Sequence, residues 1–418
     1  TRIRLKNIQS GRACHTLRRR AQLDSGGDIL AYRDFLDDGG CGAGGCLSAG
    51  GAGADGALQR YTAARCDRRV GNRTFIFPTR PEIAGAAAVA GIKEGRGPQA
   101  EWFDLILQDD YYGEKTFEKA ESKMLRSAFN MALENAGLQK QSLELMLSGD
   151  LLNQLMASSY MARDIGAPYL GMYGACSTMT QSMLVGAVMT DGGYVENAAA
   201  GTSSHFATAE RQFRMPLEHG NQRTPQAQWT ATAAGAVIIK SRGSATAYSA
   251  ETAEKSSELT SHRICLTHGT VGRVIDPGIT DTNAMGSAMA PAAFDTIRTH
   301  LDDLKRSPHD YDLILTGDLG KVGRAIVLDM AGGKLDGMKS VYEDCGAIMY
   351  GPDQDAHAGG SGCGCSASLI AGRVIKEMRA GRYRRVMLVS TGALISTISK
   401  QQGETVPGIA HAVTLECL

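Results

Sequence analysis

Cys176 lies in the sequence where a short apolar run meets a helical pattern. Residues 169–173 predict a buried strand, and the three- and four-residue spacing of the apolar side chains that follow predicts a helix. Ser177 and Thr178 are typical capping residues for its first turn. Unpaired N–H groups and the helix dipole at such a place stabilise a thiolate and also bind a carboxylate or phosphate. The elbow, residues 174–178, therefore suits a nucleophile or an anion-binding site, unless Cys176 is only a small buried residue of a tight turn.

The composition is that of a globular protein with a sizeable core. The chain has 418 residues, of which 43% are hydrophobic and 21% charged. Lys plus Arg and Asp plus Glu both number 44, so charge gives no reason to expect nucleic acid as a partner. The 10 cysteines lack regular spacing and indicate reduced thiols. No apolar run has the roughly 18 residues of a membrane span. We predict no transmembrane segment, no metal site and no cofactor.

Residues 1–68 differ from the rest of the chain. They contain no valine, methionine or proline, and neither helical nor strand periodicity persists there. We predict that this region is disordered or not native to the protein. A chain that begins at Gly71 should then be as stable, and as competent in binding, as the full chain.

The second part of the chain repeats the first. A strand followed by Gly-Asp occurs at residues 143–150 and again at 311–318, an offset of 168 positions. The turn 175–177 has a counterpart at 364–366, and the segment 198–202 has one near 387–391, both at an offset of 189. The second copy thus carries an insertion of 21 residues before its cysteine turn.

Strands and helices alternate in both copies, which predicts two α/β halves that share one core. The first half spans residues 71–245 and the second 262–418, with a polar linker between them. In the first half we predict helices over 116–136 and 151–165 and strands over 195–200 and 233–240. A ligand site is expected beyond the carboxyl ends of the strands, near the join of the halves.

Several longer motifs carry a family resemblance. They are GDLLNQ (149–154), YGACSTM (173–179), TSSH (202–205), AERQFR (209–214), MGSAMAPAA (285–293), DYDLILTGDLG (310–320), GGSGCGCSA (359–367) and QQGETVPGIAH (401–411). Together they resemble the stage V sporulation protein AD family of the thiolase-like superfamily, over residues 71–418. The resemblance implies the thiolase-like α/β fold, in which two duplicated halves with mixed five-stranded sheets pack in a layered α-β-α-β-α core.

The resemblance also implies a function. The family is implicated in uptake of dipicolinic acid (pyridine-2,6-dicarboxylic acid) into the developing spore, and it binds that acid without catalysis. It further implies a soluble protein of the spore or forespore, peripheral to the inner spore membrane, with other stage V sporulation A membrane proteins as partners. Whether calcium binds with the acid, and whether the chain forms a homodimer, stay open.

The two second-half loops decide between binding and catalysis. A condensing enzyme needs a general base beside its cysteine and donors for the thioester oxygen. Ketoacyl synthases place histidine or asparagine on these loops, whereas residues 316–320 and 359–365 contain neither. A carboxylate at Asp318 would raise the pKa of a nearby thiol. We therefore favour a non-enzymatic binding protein over an acyltransferase or condensing enzyme with Cys176 as nucleophile. A structural partner of a membrane channel, with an empty pocket, is the third alternative.

The binding hypothesis assigns roles to both halves. N–H groups of the elbow would take one carboxylate, and the glycine loop, residues 359–364, would supply further backbone donors. Asp318 would serve a calcium ion or a protonated group, or cap a turn. His205 would face the cleft or be a structural histidine. The predicted ligand-binding residues are Cys176, Ser177, Thr178, His205, Asp318, Leu319, Gly320, Gly360, Ser361 and Gly362. Leucine at Gly360 or Gly362 is expected to block binding and leave the fold intact.

Overall fold

The computed structural model describes residues 68–213, 223–242 and 263–418. Residues 1–67 and most of the predicted linker lie outside the described ranges. The strands are β1 (Arg69–Val70), β2 (Thr74–Ile76), β3 (Glu82–Ala90), β4 (Leu105–Ile106), β5 (Leu145–Gly149), β6 (Tyr169–Gly171), β7 (Asn197–Ser204), β8 (Trp229–Thr230), β9 (Ala233–Lys240), β10 (Ile264–Thr270), β11 (Leu313–Thr316), β12 (Tyr342–Asp344), β13 (Gly360–Ser361), β14 (Arg385–Ala393) and β15 (Gly408–Cys417).

The helices complete the architecture. They are α1 (Ile92–Gly95), α2 (Phe117–Asn135), α3 (Met156–Ile165), α4 (Thr178–Asp191), α5 (Phe206–Phe213), α6 (Met285–Leu304), α7 (Gly320–Ala331), α8 (Met338–Val341), α9 (Cys345–Met349), α10 (Cys363–Leu369), α11 (Ile375–Arg379) and α12 (Thr397–Gln401). A π-helical turn, Ile370–Val374, joins α10 to α11. Within the described ranges, no helix is both long and apolar enough to span a membrane.

Two five-stranded sheets share one strand order. The first runs β3-β9-β7-β5-β6 and the second runs β10-β15-β14-β11-β12. Both are mixed: β9 and β15 are antiparallel to their neighbours, whereas β5 and β11 are parallel to theirs. The sheets meet where Glu82 of β3 pairs with Cys265 of β10. The predicted duplication is confirmed.

Helices separate and cover the two sheets. Helices α2 and α3 cover the outer face of the first sheet, and α6 covers the outer face of the second with α7 packed on it. Helix α4 contacts both sheets, and α10 packs against the first sheet and touches β14. Separate apolar clusters fill the two outer spaces and the middle one. The predicted α-β-α-β-α layering is confirmed.

Helix α4 is buried on nearly all sides, which explains its composition. Its sequence TMTQSMLVGAVMTD places small and apolar residues around the whole circumference. A Cβ atom at Gly186 would lie 2.8 Å from Ile239 Cδ1, so the sheet approaches the helix backbone there. The elbow at the start of α4 is therefore held by a helix with little room to move.

Local predictions differ from the structure at the edges of elements. Helix α2 follows its cap, Thr116, as predicted. The predicted helix over 151–165 begins only at Met156, because Gln154 and Leu155 have φ of 56° and 55°. The prediction of a buried strand over 169–173 is wrong, since β6 is an edge strand in which Leu170 is exposed.

The insertion in the second half has a clear location. In the first half only a short turn separates β6 from α4, whereas helix α9 and strand β13 stand between β12 and α10. Strand β13 pairs with β8 and belongs to neither large sheet. The extra residues therefore build the glycine loop that faces the elbow. The predicted match of Cys365 with Cys176 is wrong in position: Cys176 precedes α4, whereas Cys365 lies inside α10.

Truncation near the predicted boundary tests where the fold begins. Arg68 pairs with the buried Asp191 at 2.7 Å, and β1 pairs with β2. A chain that begins at Arg68 should keep these contacts, whereas one that begins at Gly71 loses them. We expect the shorter chain to lose about 1–2 kcal/mol of unfolding free energy relative to the longer one, because Asp191 retains its bonds from Thr79. Urea unfolding of both measures this, and equal stabilities would show that β1 contributes nothing.

Candidate functional site

The elbow uses its own polar groups to hold its shape. Ala175 has φ of 51°, so the chain makes a left-handed turn directly before Cys176. Ser177 Oγ donates to the Gly174 carbonyl at 2.7 Å, and Thr178 Oγ1 donates to the Ala175 carbonyl at 2.6 Å. The N–H groups of Ser177 and Thr178 bond to the same carbonyls. The N–H donors that we predicted for a carboxylate are thus engaged within the turn, and both side chains are fully buried.

Asp318 is the partner of Cys176. It follows strand β11 and is fully buried. Its Oδ2 accepts from the Gly362 N–H at 2.9 Å and from Ser361 Oγ at 3.3 Å, and its Oδ1 accepts from Thr391 Oγ1 at 2.8 Å. The Cys176 thiol lies beside this carboxyl and interacts with it electrostatically. One carboxyl group thereby joins the glycine loop to strand β14 at the point where the elbow of the first half meets them.

The electrostatics of this pair oppose a thiolate. Burial raises the pKa of the Cys176 thiol well above its usual value, and the Asp318 carboxylate raises it further. Burial also raises the pKa of Asp318 to about 7, although the bonds from Cys176, Gly362 and Thr391 act in the opposite direction. The thiol is therefore protonated at neutral pH, and the carboxyl titrates near neutrality.

The glycine loop packs tightly against the first half. Gly362 has φ of 98°, and a Cβ atom there would lie 2.6 Å from Ser204 Oγ. A Cβ atom at Gly360 would lie 3.0 Å from Cys365 Sγ, inside the core. Gln228 Nε2 donates to both the Gly360 and the Asp318 carbonyls, at 2.5 and 2.6 Å. The two glycines thus permit close packing, and only Ser361 presents a side chain to the cleft.

Leu319 and Gly320 turn towards an internal carboxylate. Their N–H groups donate to Asp344 at 3.0 and 2.8 Å, and Thr316 Oγ1 and the Ala347 N–H donate to it as well. Burial raises the pKa of Asp344 to about 6. Leu319 itself belongs to the apolar core. The predicted backbone donors at Leu319 and Gly320 therefore already hold an anion that the chain supplies.

His205 is held in place by the fold. Its Nδ1 accepts from the Ala207 N–H at 3.2 Å, so the ring proton is on Nε2, which donates to the Asp110 carbonyl at 2.9 Å. The ring stacks on Phe206 and is 1% exposed, and burial lowers its pKa. It does not line the cleft described next. Of its two predicted roles, the structure shows the structural one.

A cleft lies between the elbow and the glycine loop, and we call it the cysteine cleft. Its cavity volume is about 40 Å³, which is small beside the roughly 300–1,000 Å³ of most ligand pockets. Its polar lining consists of Cys176, Thr230, Thr282 and Ser361. Its apolar lining consists of Leu151, Ala175, Ala209, Phe213, Met285, Ala393 and Ile395. Of the predicted ligand-binding residues, only Cys176 and Ser361 line it directly.

A second recess opens beside the cysteine cleft. It shares Leu151, Phe213 and Ile395 with the cleft, and its outer rim includes Asn153 and Tyr173. The left-handed residues at the start of α3 lie in this recess. The late start of α3 therefore shapes a recess that shares part of its wall with the cysteine cleft.

Sequence reasoning missed the apolar walls and two of the supporting residues. Leu151, Phe213 and Met285 lie in or beside the motifs that carry the family resemblance, so those motifs could have suggested them. Asp344 follows a strand and caps α9, which is a recognisable pattern. Gln228 carries no such signal, because its role depends on two loops that are distant in sequence.

The architecture is the thiolase-like fold. It has two sheets of the same topology, helices between them and a cysteine elbow at the strand ends. The fold is similar to that of a variant of OleA from Xanthomonas campestris, with a TM-score of 0.51 and 14% identity, covering 81% of this chain and 99% of that one. It is also similar to AbyA1, a tetronic acid condensing enzyme, with a TM-score of 0.51 and 15% identity, covering 80% and 99%. At these identities the likeness concerns the fold alone.

The chain belongs to the Stage V sporulation protein AD (SpoVAD) family, which matches residues 71–416. Stage V sporulation protein AD of Bacillus subtilis (strain 168) is 44% identical over 348 residues, which are 83% of this chain and 97% of that protein. The family's name indicates a role in sporulation, with the forming spore as its context. The predicted family and fold are confirmed.

Gly362 tests the packing of the glycine loop. Gly362→Ala should cost about 3 kcal/mol of unfolding free energy or more, because a positive φ and a contact with Ser204 both oppose the new Cβ. Gly333→Ala is the matched control: φ is 70° there but the space is open, so we expect about 1 kcal/mol. Denaturant unfolding of both variants gives the difference. Equal losses would mean that Ser204 moves aside, and would restore the expectation that loop variants spare the fold.

Proposed function

We propose that this chain binds dipicolinic acid in the cysteine cleft and serves the uptake of that acid into the developing spore, without catalysing a reaction. Membership of the SpoVAD family supports the sporulation context. The resemblance set out in the sequence analysis supplies the ligand. Other stage V sporulation A membrane proteins, as the partners that carry the acid across the membrane, are part of the same proposal.

The chemistry of the cleft suits a small planar acid. Apolar side chains from α5, α6 and the segment after β14 can cover the two faces of a ring. Cys176 and Ser361 stand at one end, and Thr230 and Thr282 add two hydroxyl groups. Carboxylate oxygens accept hydrogen bonds from hydroxyl and thiol groups. An aromatic ring with carboxylates at its edge could thus satisfy both parts of the lining.

The pairing of Cys176 with Asp318 is the observation that carries the non-catalytic part of the proposal. An acyl transfer needs the thiolate, and burial and the carboxylate both raise the pKa of this thiol. The described lining contains no imidazole that could accept the thiol proton. A thiol in this setting is better suited to donate a hydrogen bond than to attack a thioester.

Calorimetric titration with dipicolinate tests the binding site. Cys176→Ala and Ser361→Ala should each weaken affinity about three- to tenfold, since one contact contributes roughly 0.5–1.5 kcal/mol. Ala209→Leu should abolish binding, because Ala209 is a buried part of the wall. Cys363→Ala is the matched control: this thiol is buried in the same small cluster but does not line the cleft.

The control variant should bind within about twofold of the wild type. A twofold change in affinity corresponds to less than about 0.5 kcal/mol, which is the smallest loss expected when one contact is removed. Circular dichroism verifies the fold of each variant, and parallel titrations with calcium show whether the ion contributes. Unchanged affinity in Ala209→Leu would place the ligand elsewhere. A folded wild type that does not bind dipicolinate would favour the alternative of a structural partner with an empty pocket.

A thiolase-like acyltransferase or condensing enzyme is the second candidate. The observation in its favour is that Cys176 lines the cleft directly before the central helix α4. A nucleophile at that place would meet a substrate that enters through the recess beside it. The absence of a base in the described lining speaks against this candidate, and acyl transfer to Cys176 tests it.

Incubation with acetyl-CoA or malonyl-CoA should leave the intact mass of the protein unchanged at neutral pH. The reason is that the Cys176 thiol is protonated there and has a carboxylate as its neighbour. Intact-mass spectrometry makes the measurement, with Cys176→Ala as the reference. A stoichiometric acyl adduct that Cys176→Ala removes would establish the enzyme instead.

A further inference from the structure

We propose that a carboxylate ligand enters the cysteine cleft together with one proton, and that Asp318 takes up that proton. The inference rests on the proposed function and deepens it, because it names the residue that makes binding depend on pH. It also assigns a role to a buried carboxyl group beside Cys176.

The first step of the argument is geometric. The lining of the cleft includes two buried polar groups that neighbour Asp318, the Cys176 thiol and the Ser361 hydroxyl. The Ser361 hydroxyl already donates to Asp318 Oδ2 at 3.3 Å. A ligand carboxylate that accepts from this hydroxyl takes a donor from Asp318. The ligand and Asp318 then stand as two carboxyl groups that share the same donors.

The second step concerns charge. The described lining of the cleft contains no lysine, arginine or histidine. Two ionised carboxylates at hydrogen-bond distance in a buried site repel each other strongly, and one of them normally takes up a proton. Since burial already raises the pKa of Asp318 to about 7, protonation of this group costs little free energy at neutral pH. The carboxylates of an aromatic acid titrate several units lower, as ordinary carboxyl groups do.

The third step considers the other ionisable groups around Asp318. They are Cys176 on the elbow, Asp344 at the end of β12, Cys345 on α9, and Cys363 and Cys365 on α10. Burial raises the pKa of each of these thiols well above its usual value, so they stay neutral.

Asp344 accepts three backbone N–H groups and a threonine hydroxyl, and its charge raises the pKa of Asp318. In the described part of the chain, no three His, Cys, Asp or Glu side chains form a group that could hold a metal ion. Uptake of one proton by Asp318 removes one negative charge from the site without a protein-bound cation.

The proton balance is simple. One proton passes from solvent to a carboxyl oxygen of Asp318, and no other covalent bond forms or breaks. The neutral carboxyl can then give up the donor that the ligand takes, while the Gly362 N–H and the Thr391 hydroxyl keep their bonds to it. Because the bound state holds one proton more than the free state, affinity falls as pH rises. The fall should approach tenfold per pH unit above about pH 7 and vanish below about pH 6, where Asp318 is already protonated.

Calorimetry on the full wild-type chain measures the proton directly. Dipicolinate is titrated at pH 6, 7 and 8 in buffers of different ionisation enthalpy, so that the heat reports protons taken up per ligand. We expect uptake to approach one proton at pH 8 and to decrease towards pH 6, with affinity about fivefold weaker at pH 8 than at pH 7. Binding with no proton uptake and constant affinity would overturn the inference and leave the proposed function intact. Binding that requires calcium at every pH, without proton uptake, would also overturn it. Absence of binding at every pH would overturn the proposed function itself.

Two variants separate Asp318 from its neighbours. Asp318→Asn should bind with equal affinity from pH 6 to pH 8 and take up no proton. Asp344→Asn is the matched control, because Asp344 is a second buried carboxyl that touches neither Cys176 nor Ser361. This variant should still take up a proton on binding. Its affinity should begin to fall at a lower pH, since the charge of Asp344 raises the pKa of Asp318. Full uptake in a folded Asp318→Asn would overturn the assignment. The wild-type proton count decides the proposal even if a variant does not fold.

Discussion

The arrangement of the site depends on one buried carboxyl group. Asp318 receives hydrogen bonds from the glycine loop and from strand β14, and it lies beside the Cys176 thiol of the elbow, so the two halves meet around it at the cleft. Its burial carries a desolvation cost that these bonds offset. The same burial sets its pKa near neutrality, and its charge adds to the burial of Cys176 in raising the pKa of that thiol. The packing around the cleft and the proton affinities of both groups thus depend on this one carboxyl group.

Much of the fold could be predicted from the sequence, and the omissions have a physical reason. The strand-turn-helix units that carry the duplication were evident, because Gly-Asp turns and apolar periodicity mark them. Strand β3 was not recognised, since EIAGAAAVA has no strand alternation and alanine favours helices in isolation. Its small residues are explained by packing: a Cβ atom at Gly85 would lie 2.2 Å from the Ala132 carbonyl of α2. Strand β3 therefore forms because of its tertiary contacts, which local sequence patterns do not reveal.

The candidate site was predictable only in part. Spacing and motifs placed Cys176, Asp318 and Ser361 on facing loops, and the structure brings these three together. The donors expected at Ser177 and Leu319 were not available, because the turn itself and Asp344 had already engaged them. A sequence shows which groups can donate hydrogen bonds, but it does not show which acceptors within the fold already bind them. The apolar walls escaped notice for a similar reason, since each residue comes from a different element.

The duplicated Gly-Asp turn has a wider consequence. Asp150 accepts from Leu152 and Ser158 and so fixes the start of α3, whereas Asp318, at the corresponding place, meets the thiol. The same turn therefore anchors a helix in one half and lies beside the cleft in the other. A fold with a single copy would have to satisfy both demands with one residue. Because the chain carries the turn twice, a substitution at Asp318 can alter the cleft without loosening the start of α3.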